Sequence, residues 1–344
     1  MTSLLAPAYA LVLGSKRWTQ QVLSLDLELE LAPRLDSLTV RLPRSAPFDA
    51  GLGDAATLDL DGGEGSETVF TGTIAAVEYG YDEIRVRVLD GGAALAQARP
   101  ATTYEQAPAS QVVTELCGDA GVDVGDLADG PTFVFYAAEP SRTAFEHIAR
   151  VCAWAGAIVR FTSDGALESV VLNATSPDLA LRYGRELVAL RQRRLPAPVD
   201  GFVVAGESGA SSASSDDALR PTTDFFGGDR PDGPGATSRW SFAPALRTAT
   251  DAATAGAALK RQYAATRERG TFDAWLLPKL RPGTVLEIQD LPDGFSQGPY
   301  WIEAAAHRVT PRGATTRARY VKGGDSFDPS ALAGALAGAI GGLL

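Results

Sequence analysis

The run "VFTGTIAAVEY", residues 69–79, carries the strongest structural signal in this chain of 344 residues, because a similar run returns near the end. Apolar and polar positions alternate through it, which is typical of a β-strand with one buried face. Each copy stands in the middle of a triplet of strand-like runs. The first triplet is "TLDL" (57–60), "VFTGTIAAVEY" (69–79) and "EIRVRVL" (83–89), and the second is "TVLEI" (284–288), "PYWIEAAAHRV" (299–309) and "ATTRARYV" (314–321).

The two triplets agree in order, length and spacing. Their spacers are 8 and 3 residues in the first triplet and 10 and 4 in the second, and Ile74 and Ile302 occupy similar places in the long strand. Convergence of two ordinary hairpins and duplication of one fold both account for this pattern. Duplication predicts two copies of one β fold, interrupted by whatever lies between them.

The segment between the triplets has a different character. Helical signals appear in "APASQVVTELCGDAG", and a capping box at Thr143 and Glu146 predicts a second helix over 143–155 that ends at Gly156. An extended "PTFVFYA" lies between these helices, and "AIVRF", "TSDG" and "ALESVVL" then predict a hairpin. We therefore expect a small α/β module between the two β regions.

One of the two histidines and one of the two cysteines lie in the second predicted helix. At about 100° per residue, Cys152 belongs to the core-facing stripe, whereas His147 groups with Arg150 and Trp154 on another face. His147 and Cys152 are about 140° apart and cannot form a nucleophile and base pair within this helix. Cys117 lies on the core face of the first helix, so both cysteines are predicted to be buried, reduced packing residues.

Composition and charge exclude several classes of protein. Two cysteines in so long a chain argue against a disulfide framework, and the N-terminal stretch has no basic region before its short apolar run. We therefore expect synthesis and assembly in the cytoplasm. A net charge of −11 opposes the wrapping of nucleic acid, which needs clustered lysine and arginine.

Three passages resemble the phage late-control D family, the baseplate hub proteins of contractile tails and contractile injection systems. They are also similar to the hub part of type VI secretion spike proteins. The resemblance extends over roughly residues 5–325. The passages are "YEQAPASQVVTELCGDAGV" (104–122), "EPSRTAFEHIARVCAWAGAIVRFTSDGAL" (139–167) and "RPGTVLEIQDLPDGFSQGPYWIEAAAHRV" (281–309).

The resemblance implies a mainly β fold with an α/β insertion, in which two tube-like β-barrel domains form a pseudo-sixfold ring as a trimer. Such a hub adapts a sixfold tail tube to a threefold spike. Only about twenty residues follow Val321, where spike-fused members continue, so the spike is expected to be a separate chain. The predicted domains are 1–102 (first barrel), 103–175 (inserted α/β domain), 176–325 (second barrel, with a long loop at 207–238) and 326–344 (apolar C-terminal tail).

The apolar tail carries the candidate partner-binding residues. Asp328 and Pro329 suit the start of a helix, after which one apolar row and one glycine row follow. Our hypothesis is that three tails pack about the trimer axis, or against the spike or tape-measure protein. A disordered tail and membrane insertion are the alternatives. The apolar row consists of Leu332, Leu336, Ile340 and Leu344.

No combination of residues predicts catalysis. Asp26, Glu28 and Glu30 alternate with leucines, as on the wet face of a strand, and His307 lies inside the strand-like run 299–309. No phosphate loop and no H-E-x-x-H occurs in the sequence, and the one G-x-S-x-G, at 294–298, is followed by a strand-like run instead of the helix that follows a nucleophile elbow. With two histidines and two buried cysteines, a zinc site is not expected either. We predict no catalytic, cofactor-binding or metal-binding residues.

Two functions from different classes stay open. The favoured one is the structural hub, with an acidic lumen through which DNA or protein cargo passes with little adhesion. The alternative is a tail-associated protein that binds or degrades the cell wall, in which Trp240, Trp275 and Trp301 stack on sugars. Packing within the barrels or at a subunit interface is the competing explanation for these tryptophans.

Overall fold

The computed structural model describes residues 8–171, 176–196, 201–206, 238–296 and 298–323. The predicted loop at 207–238 falls almost entirely outside the described residues, and so does the tail at 326–344 with Leu332, Leu336, Ile340 and Leu344. The fold is mainly β, as predicted. No helix in the described ranges is long and apolar enough to span a membrane.

The first β unit contains seven strands. They are β1 (Ala8–Leu13), β2 (Lys16–Trp18), β3 (Ser24–Glu30), β4 (Ser37–Pro43), β5 (Ala55–Asp61), β6 (Ser66–Tyr79) and β7 (Glu83–Leu89). The insertion follows, with α1 (Gly92–Gln97), β8 (Thr102–Pro108), α2 (Ala109–Asp119), β9 (Thr132–Ala138), α3 (Ala144–Trp154), β10 (Ala157–Phe161) and β11 (Leu167–Val171).

The second β unit contains β12 (Leu179–Arg182), β13 (Leu187–Arg194), β16 (Glu268–Trp275), β17 (Val285–Gln289), β18 (Tyr300–Thr310) and β19 (Gly313–Lys322). A second excursion separates β13 from β16. It consists of β14 (Gly201–Ala205), β15 (Ser238–Phe242) and α4 (Ala249–Ala265).

The two predicted triplets form the same structure. In each, the long strand is flanked by antiparallel partners, β5 and β7 around β6 and β17 and β19 around β18. A β-bulge falls at the same place in both, directly after Ile74 in β6 and directly after Ile302 in β18. The sequence similarity at these two isoleucines therefore corresponds to a structural repeat.

Backbone hydrogen bonds before the bulge repeat as well. The Ile74 amide donates to Asp54 O at 2.9 Å and its carbonyl accepts from Gly53 N at 2.8 Å. The Ile302 amide donates to Thr284 O at 3.0 Å, and its carbonyl accepts from Gly283 N at 2.8 Å. Both glycines have positive φ, +84° and +82°, where a side chain is strained. These repeated details favour duplication over convergence.

The correspondence extends to strand order. The first unit runs β3-β4-β7-β6-β5 and the second runs β13-β16-β19-β18-β17, so β3 corresponds to β13 and β6 to β18. The copies differ beyond this series, because β1 joins β5 antiparallel whereas β12 joins β17 parallel. The units are also joined directly, since β18 pairs with β3. Two separate apolar cores thus lie against one continuous sheet of thirteen strands.

Helix α3 has the predicted capping box, with the Thr143 side chain bonded to the Glu146 amide at 3.1 Å. Its C-terminus is followed by Gly156 at φ +75°. The sequence pattern assigned one face of this helix to the core, but His147 and Trp154 on the other face are buried too. The reason is that β8 and β9 cover that second face, and Trp154 packs on Phe133 of β9.

The insertion also receives residues from later in the chain. Val204, Leu246 and Ala255 of the second excursion belong to the apolar core that α2 and α3 build. The predicted division placed this stretch in the second barrel domain. That division stays a prediction, and the structure adds that β14 and α4 pack on the core of the insertion, a long-range contact that strand periodicity does not encode.

The β10–β11 hairpin contacts both β units. Arg160 on β10 forms an ion pair with Glu168 at 2.6 Å and donates to the Pro282 carbonyl of the second unit at 2.6 Å. On the first unit, the Thr71 hydroxyl donates to the Ser163 carbonyl at 2.8 Å. The hairpin is therefore hydrogen-bonded to both β units.

Candidate functional site

One face of the sheet is polar across both units. Strand alternation directs the apolar side chains of eight strands to the two cores and their polar side chains to the other side. We call this the polar face. Its charged residues are Arg41, Arg85, Arg87, Arg191, Arg193, Arg269, Arg308, Arg317 and Arg319, with Asp26, Glu28, Glu30, Glu78, Glu83, Asp273 and Glu303.

Many charges on the polar face are paired across neighbouring strands. Arg308 contacts Asp26 at 3.3 Å and Arg319 contacts Glu30 at 2.5 Å, so the junction between β18 and β3 is bordered by ion pairs. Exposed pairs of this kind contribute only about 0–1 kcal/mol each to stability. Their main effect is to neutralise the face. Asp26, Glu28 and Glu30 therefore form the wetted side of a strand, as predicted.

The polar face does not share the acidity of the whole chain. It carries nine arginines and seven carboxylates, whereas the full sequence has 42 acidic and 31 basic side chains. Two depressions lie on it, of about 720 and 510 Å³. The larger lies beside β13 and β16 and the smaller over β3, β4 and β7.

His307 is a structural residue of the second core. It is 1% exposed, its Nε2 lies 3.1 Å from Leu280 O, and its Nδ1 lies 2.9 Å from the Thr316 hydroxyl. Because Nε2 has only a carbonyl to donate to, Nδ1 is the acceptor of the Thr316 hydroxyl. The same Thr316 oxygen accepts from the Leu277 amide at 2.9 Å. Burial lowers the pKa of His307 to about 4, so the ring is neutral at pH 7.

His147 has the same arrangement in the insertion. Its Nε2 lies 3.0 Å from Glu139 O and its Nδ1 lies 2.7 Å from the Tyr136 hydroxyl, while the side chain is fully buried. Both histidines thus connect a backbone carbonyl to a hydroxyl. The hydrogen bonds of His147 go to Tyr136 and Glu139, and none of those described goes to Cys152.

The cysteines are buried and reduced, as predicted. Burial raises the pKa of the Cys117 thiol to about 12 and that of Cys152 to about 11. Thiols with such pKa values are protonated at pH 7 and are poor nucleophiles. Both belong to the core of the insertion.

A buried pair of carboxyls was not predicted from the sequence. Asp36 and Asp90, 4% and 3% exposed, are 54 positions apart in the sequence and meet in the fold: Asp36 accepts from the Glu30 amide at 2.6 Å, and Asp90 accepts from the Asp36 amide at 3.2 Å. Burial, and for Asp36 the charge of Asp90, raises both pKa values, that of Asp90 to about 7. All these bonds serve the backbone, which indicates a structural role.

The remaining predicted site residues are dispersed. Trp275 is 55% exposed on β16, Trp301 is partly buried on β18, and the side chain of Trp240 lies outside the described part. Within the described ranges, no group of three or more histidine, cysteine or acidic side chains is arranged to hold a metal ion.

Neither a protein-family model nor a curated protein matches the chain. Solved structures do match it over nearly its whole length. The 43 kDa tail protein of prophage MuSo2 from Shewanella oneidensis is 17% identical, with a TM-score of 0.68 over 92% of this chain and 98% of that one. A tail protein from Neisseria meningitidis is 14% identical, with a TM-score of 0.69 over 92% and 97%.

This chain has the fold of those tail proteins. A component of the Escherichia coli type VI secretion system, described as similar to tail proteins of bacteriophage T4, also matches. It is 12% identical, with a TM-score of 0.62 over 92% of this chain and 77% of that one. The coverage includes both β units and the insertion. The narrower assignment to the late-control D family stays a prediction.

Proposed function

We propose that the chain is the structural hub of a contractile tail or contractile injection system, which as a trimer adapts a sixfold tail tube to a threefold spike. The observation that carries this proposal is the repeat, in which two copies of one β unit, with matching bulges, are joined edge to edge in one sheet. The shared fold with phage tail and type VI secretion proteins supports the setting.

The repeat suits this task for a reason of symmetry. Three chains with two similar units each present six similar surfaces to one neighbour and three identical chains to another. The partners in this proposal are the tail tube protein, a separate spike protein and the tape-measure protein. Assembly takes place in the bacterial cytoplasm, and the trimer becomes part of the baseplate of the particle.

The polar face is proposed to line the channel of the hub. Our sequence prediction was an acidic lumen, but the polar face is a mosaic in which arginines slightly outnumber carboxylates. Charges that are already paired, such as Arg317 with Asp273 at 2.6 Å, attract a passing polymer less than free charges do. Low adhesion then arises from pairing instead of from like-charge repulsion.

The oligomeric state tests the hub proposal. We expect light scattering coupled to size exclusion to give about 108 kDa, three times the chain mass of 36.0 kDa, for the protein alone or after addition of the spike protein of its particle. The measurement is repeated over a range of protein concentrations, because trimers dissociate on dilution. A chain that stays at 36.0 kDa in every condition would contradict the proposal.

The exposed Trp275 favours the alternative function, since aromatic side chains on a surface stack on sugars. The hub proposal assigns neither cell-wall binding nor catalysis to this chain. We therefore expect the protein to stay in the supernatant when purified peptidoglycan is pelleted, and to leave no cleared band in a zymogram. Pelleting that Trp275→Ala abolishes would establish the alternative.

A further inference from the structure

The larger depression on the polar face, of about 720 Å³, concentrates positive charge. Five arginines and two glutamates are among the described residues that line it, although the whole chain has a net charge of −11. Arg191 and Arg193 come from β13 and Arg269 comes from β16, and all three side chains are exposed. A ligand that enters the depression can therefore reach these three arginines.

The register of the sheet places two of these arginines side by side. Arg193 lies directly opposite Arg269 across the β13–β16 ladder, and on its other side Arg269 faces the apolar Val321. Arg191 lies two residues before Arg193, on the same face of β13 and opposite Thr271. Like charges directly opposite one another in a sheet are destabilising. The sheet therefore carries an electrostatic cost at this point.

Elsewhere on the polar face, a carboxylate compensates a contact of this kind. Arg41 also lies directly opposite an arginine, Arg85, but both of them contact Glu83, at 3.9 and 3.3 Å. Neither Arg193 nor Arg269 forms an ion pair with any residue that the structure describes, and the same holds for the neighbouring arginine on β13. The role that Glu83 has in the first unit is therefore not filled here by a described side chain.

The two glutamates of the depression do not neutralise these arginines. Glu30 contacts Arg319 at 2.5 Å and Arg34 at 3.5 Å, so its charge is already used. Glu303 forms no ion pair in the described ranges, and burial raises the pKa of its carboxyl, which disfavours the ionised form. The positive charge beside β13 and β16 is thus available to an anion that is not part of the described chain.

The spacing of the three guanidinium groups suits a compact anion with several oxygens. Directly opposed residues have Cα atoms about 4.5–5.5 Å apart, and residues two apart on one strand are about 6.8 Å apart. A guanidinium fork binds carboxylate and phosphate alike. A carboxylate offers only two oxygens and one charge, however, whereas a phosphate group carries up to about two charges and three acceptor oxygens. Three adjacent guanidinium groups therefore favour phosphate.

The lining of the depression also bears on the kind of phosphate compound. None of the described residues that line it is aromatic. Proteins that bind single-stranded nucleic acid combine positive charge with aromatic side chains on which the bases stack. With charge but no stacking surface, the depression favours a free condensed phosphate over a nucleic acid.

We propose that Arg191, Arg193 and Arg269 bind a condensed phosphate, a compact anion of two or three linked phosphate groups, as a counterion for this edge of the sheet. Thr271, which lies opposite Arg191 on one side and Arg319 on the other, adds a hydroxyl donor on the same face. An anion that binds only the folded chain stabilises it. This inference goes beyond the proposed function and does not depend on the oligomeric state.

Calorimetric titration with sodium tripolyphosphate tests the site. We expect saturable binding by the native protein and a rise in its thermal unfolding temperature when the anion is added. Arg193→Gln and Arg269→Gln should each weaken binding about tenfold, the loss expected when one charge-assisted contact is removed. Without the anion, each variant should unfold at the same temperature as the native protein or above it, because the like-charge contact is gone.

Arg308→Gln is the matched control. Arg308 is an exposed arginine on the same face, but it lies outside this depression and is paired with Asp26 at 3.3 Å. Its substitution removes the same charge from the protein, and we expect tripolyphosphate binding to be unchanged. Citrate and a short oligothymidylate, titrated under the same conditions, test the carboxylate and the nucleic-acid backbone as ligands, and we expect both to bind more weakly than tripolyphosphate.

Each outcome decides a different point. Binding that falls in Arg193→Gln and Arg269→Gln but not in Arg308→Gln supports the site, whereas no binding, or an equal loss in all three variants, overturns it. Citrate or oligothymidylate binding as tightly as tripolyphosphate overturns the assignment of a condensed phosphate. The hub proposal is tested separately by mass: a trimer that binds no tripolyphosphate overturns this site alone, and a monomer in every condition that binds it overturns the hub alone.

Discussion

The Gly270→Ala variant is expected to lose about 3 kcal/mol of unfolding free energy, or to fail to fold. A Cβ at this position would lie 2.1 Å from the Arg191 carbonyl oxygen and 2.5 Å from the ring and hydroxyl of Tyr320. One of these neighbours is backbone on β13, and the other is a fully buried core side chain, so neither moves without cost. Overpacking of this kind typically costs about 1–3 kcal/mol, and displacement of a strand adds to it.

Gly118→Ala is the matched control for this variant. Gly118 is exposed in α2, and a Cβ there meets nothing within 4 Å. Alanine in a helix interior is favoured over glycine by about 0.5–1 kcal/mol, so the control should be slightly more stable than the native protein. Urea unfolding followed by circular dichroism measures both. Equal stability of the two variants would show that β13 is not held as closely to β16 as the structure indicates.

The second large effect is a loss of stability in acid that comes from His307. In the unfolded chain a histidine has a pKa of about 6.5, whereas burial lowers the pKa of His307 to about 4 in the folded protein. Between these values the unfolded chain binds a proton that the folded chain excludes. The contribution of this histidine to the unfolding free energy is therefore complete above pH 6.5 and is lost as the pH falls to 4. The loss amounts to about 3 kcal/mol.

His307→Gln provides the comparison. Glutamine keeps one donor for the Leu280 carbonyl and one acceptor for the Thr316 hydroxyl, but it does not titrate. We expect the difference in unfolding free energy between the native protein and the variant to shift by about 3 kcal/mol from pH 7 to pH 4, in favour of the variant at low pH. A difference that is constant over this range would contradict the prediction.

The comparison with a variant is necessary because other groups titrate in the same range. Burial raises the pKa values of Asp36 and Asp90, so the folded chain binds their protons more readily than the unfolded chain. Their effect has the opposite sign, since it lowers stability as the pH rises from about 4 to about 7. Both carboxyls are present in the native protein and in the variant, so their contribution cancels in the difference.

Local sequence signals predicted the parts of the fold that depend on neighbouring residues. The capping box at Thr143 placed the start of α3, the turn at Gly165 placed the β10–β11 hairpin, and strand alternation placed the long strands with Ile74 and Ile302 at matching positions. In each case the structure depends on hydrogen bonds or periodicity within about a dozen residues. The signal is therefore contained in a single short window.

Features that depend on distant residues were not predictable in this way. Asp36 and Asp90 are 54 positions apart, and neither is unusual until the fold buries them together. The burial of His147 depends on β8 and β9, which cover a helix face that periodicity alone leaves open. The pairing of charges on the polar face has the same origin, because Arg319 and Glu30 meet only when β18 joins β3.

The parallel pairing of β12 marks where the two copies have drifted apart. A ring of six unfused, identical subunits has to present the same surface at every position, so a change that suits one neighbour is imposed on all six. Covalent fusion of two copies removes this constraint, because β12 is free to run opposite to its counterpart β1 without altering the shared core of the repeat. Around such a ring, positions that carry the antiparallel β1 would alternate with positions that carry the parallel β12. In the proposed hub, a partner of lower symmetry would be recognised by every second position alone.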